Sequence, residues 1–211
     1  YKDLPAGIEQ PGANAAWKKI KVPGNWEVQG YGTAIYTNHG YEFKPRNPRP
    51  PELPEANPVG VYRRTFEIPA DWDGRDVYLS IDGAKSGVYV YVNGKEVGYN
   101  EDSKNTAEFK LNKYIHPGEN TLVLKIFRWS TGSYLECQDM FRMSGIFRDT
   151  YLYNVPEVAV RDHRITSSLS SDMRHADMKV ELDLDNRDGL RRDLTLEVRL
   201  VDPQGQTIAT R

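Results

Sequence analysis

The sequence predicts an all-β protein: a jelly-roll β-sandwich over residues 1–156, followed by an immunoglobulin-like β-sandwich over 157–211 that stops in mid-domain. Three observations carry this expectation. From Val59 onward, short stretches of alternating apolar and polar residues recur about every ten residues, and no stretch holds the 3.6-residue apolar period of a crossover helix. Asn93-Gly94 joins VYVYV to KEVGY, and both central residues of a two-residue hairpin turn need positive φ, which Asn and Gly tolerate. All 13 Tyr, all 4 Trp and all 6 Phe lie at or before Tyr153, so the last stretch must build its core from different material. The boundary is expected at Asn154-Val155-Pro156, because proline gives no N–H to a sheet ladder.

Residues 1–58 read as a long wrapped segment, since nine prolines interrupt any helix or central strand. The rings of Trp17, Trp26, Tyr31, Tyr36, Tyr41 and Phe43 argue that it is ordered and covers aromatic surface. Strands follow at Val61 to Ile68, Val77 to Ile81, Val88 to Val92, Lys95 to Tyr99, Ala107 to Leu111, Thr121 to Phe127 and Ile146 to Tyr153. His116-Pro117-Gly118-Glu119-Asn120 supplies a turn. The last two of these strands are joined by a link of about eighteen residues, far beyond the two to five of an ordinary hairpin, which asks for a functional reason. After Pro156, strands are expected at Val158 to Leu169, Met178 to Asp185 and Leu194 to Val201, with a turn at Asp202-Pro203-Gln204-Gly205. An immunoglobulin-like sandwich needs about seven strands, and these are too few, so an exposed sheet edge is expected.

The totals exclude several function classes. A hydrophobic fraction of 38% with 27% charged residues suits a globular chain, and a net charge of −2 gives no reason to expect nucleic acid or an anionic membrane as partner. No run of 18 apolar residues reads as a membrane span. Cys137 stands alone, so the sequence forms no internal disulfide and leaves the redox compartment undetermined. The start at Tyr1, without Met or a signal peptide, reads as a processed or cut piece.

Sugars combine hydroxyls, which take carboxylate or amide partners, with an apolar C–H face that packs on a ring. Two stretches mix these residue types: Tyr36-Thr37-Asn38-His39 and Gln138-Asp139-Met140-Phe141. From composition alone a second reading stays open, in which Asn38 and Asp139 cap loops by bonding nearby backbone N–H groups. Glu136 and Asp139 could mimic an acid and nucleophile pair, but loop carboxylates with nothing to desolvate them lack the separate tuning that glycoside cleavage needs. His39, His116, His163 and His175 are scattered without HExxH or CxxC, which argues against zinc. Ser130, Ser133 and Ser144 have no G-x-S-x-G context. Arg128, Arg142 and Arg148 read as loop fasteners to carbonyls and carboxylates.

The runs VPGNWEVQGYGTAIYTNHGYEF, NPVGVYRRTF, VYVNGKEVGYNEDS and RWSTGSYLECQDMFRMSGIFRD resemble the N-terminal region of family 2 glycoside hydrolases, specifically the large bacterial β-galactosidases of the lacZ type. YTN together with QDMFRMSGIFRD favours these over the β-glucuronidase and β-mannosidase relatives. The resemblance implies a jelly-roll sugar-binding domain, an immunoglobulin-like domain, and then a downstream catalytic barrel of the same chain that carries two glutamates and works by retention. It implies that Asn38 and Asp139 contact a galactoside substrate, and that Asp139 also helps hold sodium, with the rest of the shell in the barrel. No catalytic residue is expected within these 211 positions, so the fragment alone should be inactive. The family often has carboxylates where this chain has Thr131 and Cys137, and some members have Gln where it has Glu101. Positions 101 and 131 serve an accessory magnesium site in some members; Thr131 counts against that site, and Glu101 partly replaces the lost charge. A homo-oligomer fits the intact enzyme. The competing expectations are a self-sufficient carbohydrate-binding module, the N-terminal domain of another family 2 glycosidase such as a β-glucuronidase, and an assembly or scaffold piece.

Overall fold

A computed structural model describes residues 4–13, 15–43, 47–187 and 189–211. Tyr1, on which the expectation of a processed start rests, lies outside the described residues, as does one of the nine N-terminal prolines, Pro45. The chain divides into two compact units, Tyr1–Pro156 and Glu157–Arg211.

In the first unit the strands are β1 (Gly24–Asn25), β2 (Ile35–Thr37), β3 (Val59–Ile68), β4 (Asp76–Ile81), β5 (Ala84–Lys85), β6 (Gly87–Val92), β7 (Lys95–Asn100), β8 (Ala107–Lys110), β9 (Gly118–Phe127), β10 (Met140–Arg142), β11 (Gly145–Ile146) and β12 (Thr150–Val155). A four-stranded sheet in the order β3-β9-β6-β7 faces a three-stranded sheet in the order β12-β4-β8, all antiparallel. The alternation read in the sequence turns one side of each strand inward. Leu79 and Ile81 from β4 meet Val88, Val90 and Val92 from β6 and Leu124 and Ile126 from β9, with Trp26, Leu111 and Ile146 completing the cluster. Each such side chain contributes about 1.5–3 kcal/mol on burial, so this interface holds the sandwich together. The hairpin turn forms as expected, with Asn93 and Gly94 at φ of 51° and 78°. The Asn93 carboxamide does a second job: it accepts from Thr121 N–H and donates to Asn120 and Tyr114.

The outer face of the four-stranded sheet is covered as well, which explains why Val123 is fully buried although it points away from the core. The N-terminal segment lies there. Ile8 is buried, Glu9 pairs with Lys125 at 2.7 Å, Gln10 donates to Gly94 C=O, and Arg63 donates to Ala13 C=O.

Three expectations need correction. The N-terminal segment is not wholly irregular, because it supplies β1 and β2. The long link is not an open loop: Thr131–Tyr134 makes a 3-10 turn closed by reciprocal Ser130 and Ser133 bonds, and β10 and β11 follow. The strand expected from Ile146 to Tyr153 is two strands in different sheets. Between them the chain steps past Gly83, where a Cβ would stand 2.8 Å from the Phe147 ring, so a glycine there makes the step passable.

The second unit contains β13 (Val158–Leu169) paired antiparallel with β14 (Ala176–Asn186), and β15 (Arg199–Val201) paired with β16 (Thr207–Thr210). The strand expected from Leu194 shrinks to β15, and β16 was not foreseen. Leu194 and Leu196 are 54% and 49% exposed: their alternation has the period of a strand but no facing sheet among the described residues to fix it.

Candidate functional site

The two motif stretches are strand partners. β2 and β10 form a two-stranded ribbon of their own, with Thr37 opposite Met140, Tyr36 opposite Phe141 and Ile35 opposite Arg142. Asn38 follows Thr37 at the end of β2 and Asp139 precedes Met140 at the start of β10, so both stand at the same end of the ribbon. The Tyr36 phenol donates to Asp139 Oδ1 at 2.8 Å, across 103 residues of sequence. That bond, and then the carboxylate's charge, push the Tyr36 phenol up from its ordinary pKa, so it stays a donor throughout the neutral range. Asn38 Oδ1 lies 2.8 Å from His39 Nδ1, and Thr37 Oγ1 donates to His39 C=O at 2.6 Å.

The ribbon presents a polar pair flanked by rings. Tyr36 and Phe141 are 58% and 61% exposed, with centroids 5.5 Å apart, and Asn38 and Asp139 are exposed beside them. A carboxylate and a carboxamide next to exposed rings can take hydroxyls on one side and an apolar C–H face on the other.

Under the ribbon lies a buried base. Glu42 Oε1 accepts from Trp129 Nε1 at 2.7 Å and sits 3.8 Å from Lys85 Nζ, with the side chains of Glu42 and Lys85 only 5% and 9% exposed. Burial pushes the Lys85 ammonium down from its ordinary pKa, and the Glu42 charge partly opposes this. Arg142 donates to Glu136 C=O at 2.6 Å, while Glu136 Oε1 accepts from Ser103 N–H. Arg128 donates to Thr33 C=O and faces Glu27 at 3.6 Å; Glu27 in turn accepts from Ser144 N–H. Arg148 donates to Lys104 C=O. Among these groups Tyr134 packs edge to face with Tyr41 and with Phe43, and Phe43 lies tilted against Trp129. Arg128 and Arg142 of the link, and Arg148 just past it, therefore fasten backbone.

Glu101 stands apart from the ribbon, just past β7. Thr131 Oγ1 donates to its carboxylate at 2.5 Å and the Tyr99 phenol at 2.9 Å. Burial alone would raise the Glu101 carboxyl, but these bonds, with the N–H groups of Gly132 and Thr131, outweigh it and leave the pKa lowered. Glu136, read from sequence as a loop carboxylate that nothing desolvates, has a buried Oε2. Its peptide carbonyl and Oε1 both serve the base, which gives it a structural place. Sequence reasoning assigned no role to Glu42 or Lys85: Glu42 closes one of the quoted runs as a single charge, Lys85 stands in none of them, and only the fold brings the two together.

Compared with known proteins, residues 5–156 match the sugar-binding domain of the glycosyl hydrolases of family 2. A β-galactosidase of Vibrio cholerae is 42% identical over 97% of this chain, and one of Priestia megaterium is 43% identical over 91%. In both cases the chain spans 19% of the relative's length. Among solved structures, a β-glucuronidase of Ruminococcus gnavus superposes with a TM-score of 0.62 at 23% identity, over 72% of this chain and 28% of that one. A β-glucuronidase from an uncultured Clostridium gives 0.60 at 18% identity. At that identity the structural likeness speaks for the fold.

Proposed function

Because the chain belongs to family 2 of the glycosyl hydrolases and carries their sugar-binding domain, we propose that it is the non-catalytic N-terminal part of a retaining β-galactosidase and forms one wall of the galactose subsite. The β2–β10 register supports this reading: two separate motifs meet in one ribbon, with Asn38 and Asp139 at the same end of it next to exposed rings. The β-galactosidase names of relatives at 42–43% identity support a galactoside over a glucuronide as substrate.

In this reading Asn38 and Asp139 bond galactosyl hydroxyls. Tyr36 holds the Asp139 carboxylate in one orientation, and the Tyr36 and Phe141 rings cover the sugar's apolar face. Bonds to hydroxyls that strengthen at the transition state contribute several kcal/mol to glycoside cleavage, so the wall acts on rate as well as affinity. The two carboxyl groups that protonate the leaving oxygen and attack the anomeric carbon belong to the downstream barrel. Asp139 also suits a sodium ion as one oxygen ligand among several, the others coming from that barrel. Magnesium fits less well. Glu101 already accepts from Thr131, Tyr99 and two backbone N–H groups, and among the described residues no group of three His, Cys, Asp or Glu side chains gathers around a common point.

The test is Asp139→Ala in the full-length enzyme. The expected result is a fall in kcat/KM of about a hundredfold or more, since about 1.4 kcal/mol is tenfold in rate, with circular dichroism and thermal unfolding unchanged. Near-normal turnover refutes the role.

A further inference from the structure

We propose that the buried Glu42–Lys85 pair, continued by Glu136 and Arg142, is the anchor that sets the β2–β10 ribbon against the sandwich, which makes Lys85 a positioning residue for Asn38 and Asp139. The purpose assigned to the anchor rests on the reading of the sugar wall above. The need for an anchor comes from topology. Among the described residues β2 and β10 pair only with each other, and a two-stranded ribbon is marginal by itself, so contacts at its base decide where it stands.

Those contacts converge on one side chain. Lys85 belongs to β5, which pairs with β11, and its neighbour Ala84 is part of the hydrophobic cluster, so Lys85 is fixed to the body of the domain. Glu42 comes four residues after Asn38, and Arg142 three residues after Asp139. Arg142 is the last residue of β10, opposite Ile35, and Glu42 lies five residues past the end of β2, yet the fold brings both to one place. Glu42, Lys85, Glu136 and Arg142 face one another around a narrow void also bordered by Gly40 and Cys137.

The cluster sets two acids against two bases, and hydrogen bonds satisfy only part of each of Glu42, Glu136 and Arg142. Glu42 Oε2, Glu136 Oε2 and Arg142 Nε and Nη2 are buried without a hydrogen-bond partner among the described residues. Removing one partner of a buried pair leaves the other charge uncompensated, whereas neutralising both relieves it. Without Lys85, the Glu42 carboxylate gains by turning to water and carries the Asn38–Glu42 segment with it. A displacement of about 1 Å in a positioning group can cost a hundredfold in rate.

The experiment uses the full-length enzyme with Lys85→Met, Lys85→Arg, Lys85→Met/Glu42→Gln, and Leu111→Ala as a core variant away from the ribbon. Lys85→Met should lower kcat/KM at least tenfold and speed hydrogen exchange of the ribbon amides about tenfold. Lys85→Arg and the double variant should return kcat/KM to within threefold of the parent, and Leu111→Ala should lower thermal stability with kcat/KM kept at temperatures where it remains folded. Unchanged ribbon exchange in Lys85→Met overturns the anchor whatever Asp139→Ala does. A double variant no better than Lys85→Met overturns the pairing as its cause. Faster exchange with undiminished kcat/KM, while Asp139→Ala is impaired, overturns the positioning role alone. If Asp139→Ala is fully active, the reading of the wall fails, and the exchange data still decide the anchor.

Discussion

At the scale of single residues, the site depends on what holds its polar groups in place. Tyr36 is the clearest case, because its phenol fixes one oxygen of an otherwise exposed carboxylate. Tyr36→Phe keeps the ring and removes that bond; in the full-length enzyme it should lower kcat/KM about three- to tenfold, less than Asp139→Ala, consistent with one bond of about 0.5–1.5 kcal/mol. Steady-state kinetics on the two variants side by side gives the comparison. Glu101 allows a pH prediction. Its carboxyl is lowered in the folded chain below the ordinary 4.5, so its bonds stabilise the fold above that value, and the contribution disappears as pH falls through the lower folded pKa. Thr131→Val removes a principal donor and brings the folded value closer to the ordinary one. Thermal unfolding followed from about pH 5 down to 3 should then show a shallower acid loss in Thr131→Val than in the parent; equal slopes would show that Thr131 does not set the Glu101 pKa.

At the scale of elements, the short strand β1 does more than its two residues suggest. Trp26, directly after it, is 6% exposed, donates to Tyr62 Oη at 2.6 Å, and lies against two glycines. A Cβ on Gly60 would stand 2.4 Å from its ring, and one on Gly145 2.8 Å. Trp26→Ala should cost about 3–5 kcal/mol by leaving a cavity, and Gly60→Ala about 1–3 kcal/mol by overpacking. Chemical denaturation of the 211-residue chain measures both. Trp26→Ala should also loosen the ribbon, because the adjacent Glu27 holds Arg128 and the Ser144 N–H. Elements of this kind were hard to read in advance. The hairpin at Asn93-Gly94 and the long strands β3 and β9 were legible, because alternation and turn chemistry act within a few residues. β2 and β10 were not, because three residues carry no periodicity and their pairing partner is about a hundred residues away.

At the scale of the whole molecule, the chain spans 19% of the β-galactosidases from Vibrio cholerae and Priestia megaterium. A wall of a subsite without the opposite wall should neither turn over substrate nor hold it firmly. The 211-residue chain is expected to leave a nitrophenyl galactoside uncleaved, and calorimetry with galactose or lactose should give no heat of binding at millimolar sugar. Millimolar or tighter binding would favour a self-sufficient carbohydrate-binding module, and sedimentation showing self-association would favour the assembly reading. In the second unit, Val160, Ile165 and Leu169 are half or more exposed along β13.

The all-β class, the main strands of the first sandwich and the two polar-aromatic motifs are legible in the chain, because strand period, turn residues and motif composition are local properties. The sequence also carried the family resemblance, which pointed to Asn38 and Asp139 together. Folding was needed to reveal that these motifs are hydrogen-bonded partners in one ribbon, that Tyr36 holds Asp139, and that Glu42 and Lys85 meet in a buried pair. Those are contacts between segments distant in sequence. No local pattern encodes them, since a buried ion pair needs two charges that are ordinary in their own surroundings and become costly to separate only when the fold removes both from water.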